Sequence, residues 1–201
     1  MGDEKSDKER FESTKAKAEK GNAVAQSNLG IMYAKGRGVP EDDKEAVKWY
    51  RKAAEQGLAK AQLNLGVRYA KGDGVLEDDK EAVKWYRKAA EQGLASAQYN
   101  LGAGYYFGEG VLEDDKEAVK WFRKAAEQGD APAQSNLGLM YARGEGVLED
   151  SVTAYAWWNI AAANGNKNAK SKLAKEMTPE QIAKAQELSK EMLKKNPKLL
   201  K

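Results

Sequence analysis

Apolar residues recur along this chain with two interlocked helical patterns. Over 23–35, Ala25, Leu29 and Tyr33 fall on one helical face, with Gln26 and Gly30 beside them. Over 44–55, Ala46, Trp49, Tyr50, Ala53 and Ala54 share a face, while Lys44, Lys48, Arg51, Lys52 and Glu55 are directed to water. Gly36 and Gly38 lie between the two stretches and suit a left-handed helix stop and a tight loop. Asp42, with Glu45 three residues on, has the pattern of a capping box at the start of the second stretch. The prediction is a hairpin of two helices, A and then B.

The hairpin is written four times. Gly21, Gly57, Gly93, Gly129 and Gly165 stand 36 residues apart, and Trp49, Trp85, Trp121 and Trp157 keep the same step. "GVLEDDKEAVKWYRKAAEQG" at 74–93 returns at 110–129 with one change, Tyr86 to Phe122. One hairpin cannot bury its apolar faces alone, but stacked neighbours can, so the pattern predicts an all-α solenoid of antiparallel hairpins. The units read 21–56, 57–92, 93–128 and 129–164. Gly30, Gly66, Gly102 and Gly138 sit inside helix A, where each costs about 1 kcal/mol against Ala. Keeping that cost in every unit predicts very close helix contact.

The ends read as caps. In 1–20, Phe11 and Ala18 align with helix B of an absent earlier unit. In 165–201, "NKNAKSKLAKEM" is a polar half-repeat that retains Ala169 and Leu173. A last helix follows, with Thr178 as N-cap, Pro179 in the first turn, Gln181 closing the box, and Ile182, Ala185 and Met192 turned inward.

"AQSNLGIMYAKGRGVPEDDKEAVKWYRKAAEQG" resembles a Sel1-like repeat, a relative of the tetratricopeptide repeat, and the resemblance covers 21–165. The closing "WWNIAAANGN…MTPEQIAKAQELS" is similar to the ending of bacterial members. The resemblance implies a curved, right-handed superhelix and an adaptor role, and many bacterial members are periplasmic or secreted. The chain departs from the cysteine-rich subgroup, whose hairpins are stapled by disulfides. Lactam chemistry ascribed to that subgroup is therefore not carried over.

If the repeated sentence builds the frame, function lies where the units differ. On a helical wheel, Ala25, Gln26, Leu29, Gly30 and Tyr33 have identical equivalents in every unit and form the packing face. Opposite stand Val24, Ser27, Asn28, Ile31 and Lys35; then Lys60, Leu63, Asn64, Val67 and Lys71; then Ser96, Tyr99, Asn100, Ala103 and Phe107; then Pro132, Ser135, Asn136, Leu139 and Arg143. By analogy with related repeats this stripe lines the concave side. Its apolar and aromatic members point to a groove for a peptide or protein segment. Partner contact is assigned to Ile31, Lys60, Leu63, Asn64, Val67, Tyr99, Asn100, Phe107, Asn136, Leu139 and Arg143. On this reading, Ala at Tyr99 and Phe107 leaves the melting temperature unchanged. The Asn never varies: it either binds a ligand backbone or carboxylate, as in related tetratricopeptide clamps, or braces each hairpin locally, and the brace is preferred.

The remaining chemistry narrows the picture. The chain has no Cys and no His, which removes thiolate zinc sites, a Cys nucleophile and the usual neutral-pH base. No metal, cofactor or catalytic group is expected. "GAGYYFGEG" follows a helix rather than a strand and lacks the Lys-Ser/Thr of a phosphate loop. The "EDD" runs do not have calcium-loop spacing and read as caps. Net charge is +3; residues 166–201 carry ten Lys against four Glu, which reads as the wet face of a terminal helix. Nucleic acid is not expected as a partner, and a monomer is. No apolar run is long enough to span a membrane. The opening "MGDEKSDKERF" has no apolar core of a signal peptide. The chain is thus cytoplasmic as written, or periplasmic or secreted if a leader has been removed. The leading reading is a non-enzymatic interaction scaffold. The alternatives are a cell-envelope enzyme or binder of peptidoglycan or lactam-like substrates, and an engineered array without a natural partner.

Overall fold

Rings from each second helix press on the backbone of the first helix of the same hairpin. A Cβ placed on Gly66 would stand 2.6 Å from the Tyr86 ring and 3.1 Å from the Ala82 carbonyl oxygen. Gly30 meets Tyr50 at 2.7 Å, Gly102 meets Phe122 at 2.8 Å and Gly138 meets Trp158 at 2.6 Å in the same way. Only a residue without a side chain fits, which is the close contact expected of these glycines.

The computed structural model of the chain describes residues 2–166 and 176–200. It forms two compact units, Met1–Leu94 and Ala95–Lys201. The first holds α1 (Gly2–Glu19), α2 (Ala23–Ala34), α3 (Asp43–Glu55), α4 (Ala59–Lys71) and α5 (Asp79–Glu91). The second holds α6 (Ala95–Phe107), α7 (Asp115–Ala126), α8 (Ala131–Arg143), α9 (Ser151–Ala163), α10 (Pro179–Lys195) and a 3₁₀ turn (Pro197–Leu199). No strand occurs among the described residues. The fold is an all-α solenoid of 36-residue hairpins. The half-repeat with Ala169 and Leu173 lies outside the described residues.

Each core layer takes residues from three successive helices, B, A and B. In the first unit Phe11 and Ala18 of α1, Ala25, Leu29 and Met32 of α2 and Trp49 of α3 form one layer. Val47 and Ala54 of α3, Ala61 and Leu65 of α4 and Trp85 of α5 repeat it. In the second unit Val119 and Ala126, Ala133 and Leu137, and Trp157 do so again. Leu29, Leu65, Leu101 and Leu137 are fully buried, each contributing about 1.5–3 kcal/mol. Val47, outside the apolar face expected of helix B, is also buried. The indole nitrogens of Trp49, Trp85 and Trp121 have no acceptor. Packing, with Lys52, Lys88 and Lys124 each 4.2 Å from the ring centre, holds these rings instead.

A buried amide stitches each layer. Gln26 Nε2 donates to Ala18 O (3.1 Å), Gln62 Nε2 to Ala54 O (3.2 Å) and Gln134 Nε2 to Ala126 O (3.1 Å). Each of these glutamines accepts in turn from the residue that ends its own hairpin: Gln56 Nε2 (2.7 Å), Gln92 Nε2 (2.7 Å) and Asn164 Nδ2 (2.9 Å). The Gln62 and Gln134 bonds therefore tie one hairpin to the next, and Gln26 ties the first hairpin to α1.

The loops follow the same economy. Gly74 has φ 74°, and a Cβ there would lie 2.3 Å from Asp43 O of the preceding helix start, so conformation and space both require glycine. Asp42, Asp78, Asp114 and Asp150 cap their helices. The box expected at Asp42 is only half formed: Asp42 accepts from Glu45 N, while the Glu45 side chain pairs with Lys48. Thr178 and Gln181 form a complete box.

Two outcomes are expected. Gly66→Ala should destabilise by about 1–3 kcal/mol, because the ring overpacks, although helix propensity alone favours Ala by about 1 kcal/mol; an unchanged or raised thermal midpoint would show that the ring yields. At Asp150, burial alone would raise the carboxyl, but hydrogen bonds from Thr153 outweigh it and hold the carboxyl below its ordinary range. A lowered carboxylate stabilises above its unfolded pKa of about 4, and that contribution fades as pH falls through the folded value. The difference in melting temperature between wild type and Asp150→Asn should therefore shrink on acidification below about pH 4.

Candidate interaction surface

Helix A carries its variable stripe away from the B–A–B core, and the structure spreads that stripe across a range of burial. In the first unit Val24, Asn28 and Lys60 are exposed, whereas Ile31, Leu63, Asn64 and Val67 are half-buried. Ile31 leans on the α3–α4 layer. Ser27, placed outward by the wheel, is buried. In the second unit Phe107 and Arg143 are exposed, while Tyr99, Asn100, Asn136 and Leu139 are half-buried.

Tyr99 does not stand free. Its ring lies 5.8 Å from that of Phe122, a fully buried residue, and it packs against the core. The expectation that Tyr99 and Phe107 are equally dispensable for stability is corrected on this point. A wheel gives direction but not reach, and a tyrosine at the edge of the stripe is long enough to touch the next ring. Phe107, 61% exposed, rests edge-on to Tyr106 at 4.9 Å. Tyr106 donates to Glu145 (2.9 Å), and Arg143 donates to the Tyr106 hydroxyl (3.3 Å). Burial, then Glu145, pushes the Tyr106 phenol above its ordinary value.

The Asn positions behave unlike the other invariant residues. Asn28, Asn64, Asn100 and Asn136 make no side-chain hydrogen bond among the described residues. The preferred local brace is absent. Bracing falls instead to the Gln positions and to Arg51 and Arg123, which donate to the Tyr69 and Tyr141 hydroxyls. Arg51 is thus half-buried rather than simply turned to water.

Two hollows open along the stripe of the first unit. One, of about 410 Å³, is lined by Asn28 and Ile31 together with Arg10 and Thr14 of α1. The other, of about 510 Å³, lies among Val24 and Asn28, Leu58 and Lys60, and Gln92. Among the described residues no group of His, Cys, Asp or Glu is arranged to hold a metal ion. No described helix is long and apolar enough to cross a membrane. Helical-face reasoning also passed over the hairpin loops: Leu76, Leu112 and Leu148 are each about 90% exposed. The available signal was an apolar residue recurring in a loop, where burial cannot explain it.

Sel1 repeats are recognised at 23–58, 59–94, 95–130 and 131–166. The chain belongs to the Sel1 repeat family. It is similar to a protective antigen of uropathogenic Escherichia coli with a Sel1-like repeat fold, at 40% identity and a TM-score of 0.84, over 94% of this chain and 42% of that one. This chain therefore spans less than half the length of that antigen. It is also similar to a Sel1 repeat protein of Oxalobacter formigenes, at 41% identity and a TM-score of 0.75, over 87% and 72% of the two chains. An immunity protein of Pseudomonas aeruginosa, at 21% identity and a TM-score of 0.54 over 90% and 73%, shares the fold. Among curated proteins none matches. Sel1 repeat proteins generally act in protein–protein interaction, and the family is typically a non-enzymatic scaffold.

The two aromatics of the stripe should separate in thermal melts. Tyr99→Ala is expected to destabilise by about 1–3 kcal/mol and Phe107→Ala by less than about 0.5. Equal losses would place both rings in the core.

Proposed function

We propose that this Sel1 repeat protein is a non-enzymatic adaptor that holds an extended protein segment along the outward stripe of helix A. The observation that carries the reading is the Asn ladder. Asn28, Asn64, Asn100 and Asn136 recur in every repeat, yet their amides form no bond within the protein among the described residues. The buried amides of Gln26, Gln62 and Gln134, by contrast, are bonded within the frame. A carboxamide offers one acceptor and two donors, the set that reads a peptide backbone. Neighbouring Lys60, Leu63, Val67, Tyr99, Phe107, Leu139 and Arg143 differ from repeat to repeat and would set which side chains are accepted. Ile31 contributes an apolar wall in the first unit.

The test uses the full chain with Asn28, Asn64, Asn100 and Asn136 all changed to Ala. Wild type and variant, matched in melting temperature, are immobilised and exposed to bacterial lysate and envelope fractions. Unchanged stability with loss of a retained protein is the expected result. A large fall in melting temperature would return the ladder to the frame, and identical retention would move the contact surface elsewhere.

A further inference from the structure

The hollow between α1 and the first hairpin departs from the repeat that builds it. It has a volume of about 410 Å³, and Arg10, Thr14, Asn28 and Arg37 are among the residues that line it. Thr14 stands 36 residues before Tyr50, so a short hydroxyl takes the place of a ring. Arg10 stands 36 residues before Ala46. Arg37 stands where the later hairpins carry Asp73, Glu109 and Glu145. Arg10 is exposed and Ala46 buried, so exposure alone accounts for a polar residue at 10. It does not account for a cation at 37, a loop position that the other hairpins make acidic.

The next hairpin has the same positions with their charges closed on one another. Arg68, one repeat after Met32, pairs with Asp43 (2.7 Å) and with Asp73 (3.3 Å), the residues one repeat after Asp7 and Arg37. The first hairpin has no such closure. Among the described residues the side chains of Arg10 and Arg37 make no ion pair and no hydrogen bond, and neither does that of Asp7. All three line the one hollow. Two guanidiniums and one carboxylate leave it a net charge of +1, beside the apolar side chains of Ile31 and Met32.

We propose that this hollow binds the side-chain carboxylate of a glutamate within the protein segment held along the helix-A stripe. Arg10 and Arg37 donate to the carboxylate, with the Thr14 hydroxyl and the Asn28 amide as further donors. The glutamate methylenes lie on Ile31 and Met32. Asn28 also lines the second hollow of the first unit, so the segment continues along the stripe from this point. The charge selects a carboxylate over a phosphate: one negative charge neutralises the hollow, whereas a phosphate of about −2 overshoots it beside Asp7. This deepens the adaptor reading and rests on it.

The probe is N-acetyl-glutamate N-methylamide, titrated into the isotope-labelled full chain and followed by NMR. Saturable shifts confined to Arg10, Thr14, Asn28 and Arg37 are expected, with a Kd of about 1–10 mM. The matching glutamine probe should bind about tenfold more weakly. Arg10→Ala and Arg37→Asp install residues that later hairpins carry at these places; each should keep the melting temperature and lose the shifts. The matching phosphoserine probe should bind wild type no more tightly than glutamate does, and Asp7→Asn should strengthen it about fivefold. Absence of shifts, equal binding of the glutamine probe, shifts that survive both arginine substitutions, or tighter binding of phosphoserine to wild type each overturns the proposal. If the glutamate probe fails while the Asn-ladder variant still loses its retained protein, this site falls and the adaptor reading stands.

Discussion

The contact on which the hairpin depends is between an aromatic ring and a glycine. In every hairpin a ring of helix B rests on the backbone of helix A at a distance that a single methyl group would spoil. That contact fixes how near the two helices run, and so how far apart their remaining side chains stand. Only at that spacing do the alanines of helix B seat against the next helix A. The buried glutamine reaches the preceding carbonyl for the same reason. The frame is therefore specified by what it lacks at one position more than by what it carries at others.

The end of the array nearest α1 obeys the same geometry with different residues. Phe11 takes the place that Val47 and Val119 hold in later layers, and Ala18 that of Ala54 and Ala126. The backbone of Asp7 lies against Gly38 as that of Asp43 lies against Gly74. So α1 packs against α2 and its loop as a helix B does. Residues 196–199 work differently. They leave the repeat pattern and use an irregular turn to cover a layer of the second unit.

Most of the frame was legible because repetition separates signal from noise. A residue that returns four times in register, such as Leu29 or Gly30, is declared structural before any coordinate is known. The surface was less legible, for three physical reasons. Angular position says nothing of side-chain length, so the wheel turns Tyr99 outward although its ring reaches Phe122. Invariance does not distinguish a bonded amide from an unbonded one, so repetition alone leaves the partner of the Asn ladder open. The tail has no period at all, and its Leu199 could not be matched to a layer until the chain was seen folding back.

The amide relay is polar: Gln26, Gln62 and Gln134 each give to the helix before and receive from the residue that closes their own hairpin. Such a stitch has no preferred number of turns. Inserting or deleting 36 residues between Gly21 and Gly165 would leave every remaining bond with a donor and an acceptor of the same kind. Copy number can then drift by unequal recombination of near-identical coding stretches without a folding penalty at the junction. Length, and with it the reach of the binding surface, is an evolutionary variable separate from stability.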